Sequence, residues 1–175
     1  MNRDEFAELA LGYLDDVTAF ARRLTSNVAD ADDLVQSTFE RAFRSWPTLR
    51  QRGACRTWLF RIARNAYLNR RRAEQARPEL HLVELEPTGE LPAIPAETVE
   101  RLDARELERA LAKLSGEQRE TLLLSDVWGF TYTEIANITC VPLGTVRSRI
   151  ARARDRLSVD LAEAAGTGRY RGGRS

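Results

Sequence analysis

The sequence predicts an all-α protein: two small helical domains joined by a flexible linker, the second containing a helix-turn-helix. Three observations predict it. Apolar residues recur at helical spacing on both sides of the chain's middle, which puts them on one face of successive helices. No strand-like alternation persists anywhere. Between the periodic stretches, Pro78, Pro87, Gly89, Pro92 and Pro95 fall among glutamates and leucines, a texture that stops helices and suits a tether. The expected divisions are a first domain at 1–76, a linker at 77–97, a second domain at 98–165 and a basic, disordered tail at 166–175.

Phe6, Leu9, Ala10, Tyr13, Leu14, Val17, Phe20, Ala21 and Leu24 predict one helix over Asp4–Leu24, broken by Ser26 and Asn27. Asp30 or Asp32 is expected to cap the next helix, which reaches about Arg44 and buries Val35, Phe39, Ala42 and Phe43. Pro47 and Gly53 bound a loop, and Thr57 is expected to cap a third helix to about Arg72. Beyond the linker, Val99, Leu102, Leu107, Ala110, Leu111 and Leu114 resume the spacing. Ser115 with Gln118 reads as a capping box for a helix carrying Leu122, Leu123, Leu124 and Val127 and ending at Gly129.

The stretch Phe130–Leu157 carries the clearest functional pattern. Thr131 and Glu134 form a second capping box, and Ile135 and Ile138 face inward. Thr139–Val141 make a turn, and Pro142 suits the first turn of the following helix. Val146, Ile150, Ala153 and Leu157 share one face of that helix, while Arg149, Arg152 and Arg156 fall on another, with Arg147 and Ser148 near its start. Helix-turn-helix proteins place such a helix in the major groove, its first residues on base edges and later arginines on phosphates.

A second candidate surface lies at Trp46–Arg72. Trp46, Trp58, Phe60 and Tyr67 alternate with Arg50, Arg52, Arg56, Arg61, Arg64, Arg70, Arg71 and Arg72. Aromatics can stack on unpaired bases while arginines follow the backbone. The same spacing also suits core packing, above all for Trp58 and Phe60. Asp33, Gln36, Ser37 and Glu40 form a polar stripe on the second helix, either a hydrated face or a docking surface.

The 175 residues carry a net charge of +1, which leaves nucleic acid open because local charge sets the local field. Cys55, Cys140 and His81 cannot assemble a four-ligand zinc site; the cysteines are expected to be small, partly buried thiols and His81 a solvated side chain in the linker. No apolar run is long enough to cross a bilayer, and MNRDEFAELALGYLDD lacks the layout of a signal peptide, so a cytoplasmic location is expected. With no nucleophile–base pair, phosphate-binding glycine loop or metal cluster, we expect no enzyme activity and no cofactor.

DADDLVQSTFERAFRSW, then RTWLFRIARNAYLNRRR, then LSGEQRETLLLSDVWGFTYTEIANITCVPLGTVRSRIARARDRL together resemble a bacterial extracytoplasmic-function (ECF, group 4) sigma factor of the sigma-70 family. The resemblance covers roughly Phe6–Leu161. It implies a subunit that binds core RNA polymerase, at the largest-subunit clamp and the flap, and directs it to promoters. It further implies a −10 surface made of the base-capturing loop Leu49, Arg50, Gln51, Arg52, Gly53, Ala54 and Cys55, with Trp58, Arg61, Arg64, Asn65, Arg70 and Arg71. The −35 surface would comprise Thr145, Arg147, Ser148, Arg149, Arg152 and Arg156, and the core-polymerase surface Asp33, Gln36, Ser37 and Glu40. An anti-sigma factor is an implied partner. The alternative is a stand-alone helix-turn-helix regulator of duplex DNA, which leaves the Trp/Arg-rich segment unexplained.

Overall fold

The computed structural model describes residues 3–76 and 104–168. The expected linker, His81, Val99, Leu102 and the tail beyond Gly168 lie outside the described residues. Every regular element among the described residues is helical. One compact unit holds α1 (Arg3–Ala10), α2 (Leu14–Leu24), α3 (Val28–Ser45) and α4 (Cys55–Gln75). The other holds α5 (Ala104–Ala112), α6 (Gly116–Asp126), α7 (Tyr132–Thr139) and α8 (Leu143–Gly168).

In the first unit, the expected single opening helix is two, joined by a tight turn at Leu11–Tyr13. Leu14, expected inside, is exposed, because the turn rotates the start of α2. Neither Asp30 nor Asp32 caps α3. Asn27 does, its side chain accepting from the Asp30 N–H at 2.8 Å while donating to the Asp30 carboxylate at 2.7 Å. The buried stripe of α3 is Ala31, Leu34, Thr38 and Ala42, with Val35, Phe39 and Phe43 half-buried beside it. Small residues there let α3 sit close to α2 and α4. The Thr38 hydroxyl is buried at no polar cost because it donates to the Leu34 carbonyl at 2.6 Å. Thr57 is not the cap of α4, which starts at Cys55 directly from a short turn at Arg52–Ala54.

The aromatic residues make the core of this unit. Trp46 is 2% exposed and stands edge-on to Phe6 and Trp58, with ring centroids at 5.2 and 6.1 Å. Phe20 meets Phe60 at 4.8 Å. Arg56 pairs with Asp16 at 2.9 Å, and Arg70 with Asp30, so α4 is braced to α2 and to the start of α3.

In the second unit, α8 packs against α5, α6 and α7 and closes the core with Val146, Ile150 and Ala153. The Ser115 capping box is formed: its hydroxyl accepts from the Gln118 N–H at 3.3 Å, and the Gln118 side chain accepts from the Ser115 N–H at 3.2 Å. The chain leaves α6 through Gly129, whose φ of 66° is the left-handed conformation that glycine adopts without strain. α8 continues to Gly168, so the expected tail begins as helix.

Candidate nucleic-acid interface

The helix-turn-helix is built from local signals. The Thr131 hydroxyl accepts from the Glu134 N–H at 3.3 Å, and the Glu134 carboxylate accepts from the Thr131 N–H at 2.8 Å, which starts α7. α7 ends at Cys140, whose φ of 56° turns the chain, with the Val141 N–H donating to the Ala136 carbonyl at 3.3 Å. Cys140 is exposed rather than partly buried. Pro142, expected in the first turn of the next helix, stands one place before α8, where its carbonyl accepts from the Thr145 and Val146 N–H groups at 2.9 and 3.2 Å.

The outer face of α8 presents Gly144, Arg147, Ala151 and Arg152, with Thr145 and Ser148 half-buried between them. Ser148 donates back to the Thr145 carbonyl at 3.0 Å. Two other arginines of the expected −35 set are tied down. Arg149 is only 16% exposed and donates to the Glu117 carboxylate at 2.5 Å. Arg156 donates to Asp160 at 3.1 Å, and Lys113 reaches the other oxygen of that carboxylate at 3.1 Å. The Asp160 side chain is 4% exposed. Burial opposes its ionisation, yet hydrogen bonds from Lys113 and Arg156 prevail and hold the carboxyl below its ordinary value. Arg154, absent from the sequence reading, joins Asp126 at 2.7 Å and the Tyr132 hydroxyl at 3.4 Å, fixing α8 against α6 and α7. Neither Glu117 nor Asp126 was predictable as a partner, since each lies far from its arginine in sequence.

In the first unit, the structure divides the expected −10 residues. Leu49, Cys55 and Trp58 are 8%, 1% and 8% exposed, so their side chains belong to the core and not to a stacking surface; Trp46 and Phe60 join them there. Burial also pushes the Cys55 thiol pKa up, which disfavours the reactive thiolate. Arg50, Gln51 and Gly53 stand exposed on the loop, with Arg52 and Ala54 half-buried. On α4, Arg61, Asn65, Asn69 and Arg72 are exposed at helical spacing, and Arg64 lies half-buried beside them. Arg70 is held by Asp30 and Glu74, whereas exposed Arg71 reaches the Tyr67 hydroxyl at 3.4 Å. What remains is a continuous exposed row of cations and amides, the chemistry of a backbone-tracking surface.

On α3, Asp33, Gln36 and Glu40 are exposed along one face and Ser37 is half-buried. Gln36 donates to Glu40 at 3.1 Å, and Ser37 to the Leu34 carbonyl at 3.1 Å. Among the described residues, no group of three or more His, Cys, Asp or Glu could hold a metal ion, and no helix is long and apolar enough to cross a membrane.

Comparison with known proteins matches both units in order. Residues 9–77 match the family model for Sigma-70 region 2, and residues 104–157 the model for Sigma-70, region 4. The chain is 38% identical to the ECF RNA polymerase sigma factor SigC of Mycobacterium tuberculosis, over 83% of this chain and 77% of that protein. It is 35% identical to the ECF RNA polymerase sigma factor EcfG of Rhodopseudomonas palustris, over 90% and 86%. Among solved structures it is similar to the sigma factor RpoE in complex with the anti-sigma factor NepR from Bartonella quintana, with a TM-score of 0.69 and 31% identity, covering 90% of this chain and 96% of that one.

Proposed function

The chain belongs to the sigma-70 family of RNA polymerase sigma factors, in its extracytoplasmic-function branch, and we propose how its two units divide promoter recognition between them. The second unit docks on duplex −35 DNA and sets the register. Arg147 and Ser148, near the helix start, meet base edges in the major groove and Arg152 meets the phosphate backbone, while Arg149 and Arg156 hold the helix on its scaffold. The first unit stabilises separated strands at the −10 element. Arg50, Gln51 and Gly53 receive an extruded base, and Arg61, Arg64, Asn65, Arg71 and Arg72 follow the strand. Extrusion costs a few kcal/mol per base, which contacts at the loop and binding to polymerase must offset. Asp33, Gln36, Ser37 and Glu40 present α3 to the clamp of core polymerase.

The observation that carries this reading is the coincidence of a region 2 match with an exposed arginine and amide row on α4, and a region 4 match with an exposed arginine pair on α8. A stand-alone helix-turn-helix regulator accounts for only the second. The related RpoE was solved with an anti-sigma factor, and we propose a partner of that class here. Transcription by core polymerase plus this chain on a promoter library tests the function. Discrete start sites absent from core alone are expected; failure to form a holoenzyme, or starts unchanged from core alone, overturns it.

A further inference from the structure

The loop Leu49–Cys55 is held from outside itself. Arg52 is its anchor. Its Nε and Nη2 donate to the two carboxylate oxygens of Glu5 at 2.7 and 3.3 Å, and its Nη1 donates to the Leu49 carbonyl at 2.5 Å. The guanidinium lies 4.4 Å from the centre of the Trp46 ring, and Trp46 is locked against Phe6 and Trp58. The Arg52–Leu49 bond closes a short arch with only Arg50 and Gln51 at its crest, both exposed. Glu5 belongs to α1, 47 residues earlier in the chain.

We propose that Glu5 and Arg52 form a latch that presets the loop where the unpaired base is received, so that α1 takes part in −10 selectivity without touching DNA. The inference rests on the reading of that loop given above. It makes Arg52 a positioning residue rather than a DNA contact. A planar guanidinium forked onto a carboxylate fixes direction as well as distance, which a lysine ammonium cannot do. An unlatched loop must be ordered when it captures the favoured base, whereas a base that does not engage the loop is spared that cost, so the penalty falls on preference. The pair is about one-third exposed, at 38% and 36%, so it adds little to global stability. Its consequence is loop order. The Arg52 guanidinium also holds the Glu5 carboxyl below the usual glutamate value, so the latch is charged at neutral pH.

The test uses the full chain with core polymerase on promoters that differ at the unpaired −10 base. Glu5→Gln and Arg52→Lys are each expected to reduce the preference for the favoured base roughly two- to fivefold. Hydrogen exchange of the 49–54 amides should rise in both variants while α2, α3 and α4 keep their protection. A double variant, Arg50→Ala with Gln51→Ala, separates the two layers of argument. If it leaves base preference unchanged, the loop reading itself fails. If it lowers preference while Glu5→Gln and Arg52→Lys match the parent in preference and loop exchange, the latch alone is overturned. Lowered melting temperature with an equal loss on every base also overturns it, because that is the signature of a purely structural pair.

Discussion

Arg147 and Arg149 stand two positions apart on α8 and do different work. Arg147 is exposed, whereas Arg149 is spent on Glu117. Arg147→Ala should weaken initiation selectively on matched −35 DNA, by about 1–3 kcal/mol if the arginine reads a base edge. Equal losses on matched and scrambled −35 sequences would assign it to phosphate instead. Arg149→Ala should cost about 1 kcal/mol of second-unit stability through its buried stem and ion pair, with no change in base preference. Thermal unfolding together with transcription on both templates separates the pair. Asp160 supplies a pH dependence of known sign. Its carboxyl titrates below the ordinary value in the folded chain, so its stabilising effect is complete above the unfolded value of 3.8 and is lost as pH falls through the folded one. Acidification from neutral to about pH 3 should therefore destabilise the parent chain more than Asp160→Asn, in which this linkage is absent. Parallel slopes in unfolding experiments at the two pH values would refute that role.

At the scale of elements, what the sequence made legible was what chemistry keeps local. Ser115 with Gln118 and Thr131 with Glu134 specify their caps within four residues, and both form as expected. α3 was harder to read, because Asn27, Asp30 and Asp32 are all capping residues crowded at one start. Asn27 wins because its extended backbone, at φ −147°, lets its side chain reach the Asp30 N–H. Trp46, Trp58 and Phe60 were ambiguous for a different reason. Helical spacing is the same for a stacking row and a core row, and only the packing of the neighbouring helices around these rings selects the core. Ion pairs such as Glu5–Arg52 and Glu117–Arg149 join residues 47 and 32 positions apart, a separation no local pattern encodes. The α3 stripe was legible as a face but not as an interface. Its test is Asp33→Ala with Gln36→Ala, which should lower affinity for core polymerase about tenfold while helicity is unchanged. An unaltered affinity would leave that stripe as hydrated surface.

For the whole molecule, the governing quantity is where charge sits rather than how much there is. The net charge of +1 gives no drive toward DNA, yet each unit turns arginines outward on one helix: Arg61 and Arg72 on α4, Arg147 and Arg152 on α8. Meanwhile the carboxylates of Asp16, Asp30, Glu117, Asp126 and Asp160 are occupied by other arginines, which braces the folds without neutralising the outward rows. This arrangement makes the salt dependence of promoter binding the sharpest whole-molecule measurement. Each phosphate contact releases counterions, so the slope of log affinity against log salt is about −0.9 per contact on duplex DNA and about −0.7 on a single strand. Removing Arg152 from holoenzyme should make the slope shallower by about 1, uniformly across −35 sequences. Removing Arg61 or Arg72 should change it by about 0.7, and only on templates whose −10 strand is already separated or can open. Should Arg61→Ala shift the slope equally on a fully duplex fragment that cannot melt, the assignment of α4 to the unpaired strand would fail and α4 would be a second duplex surface.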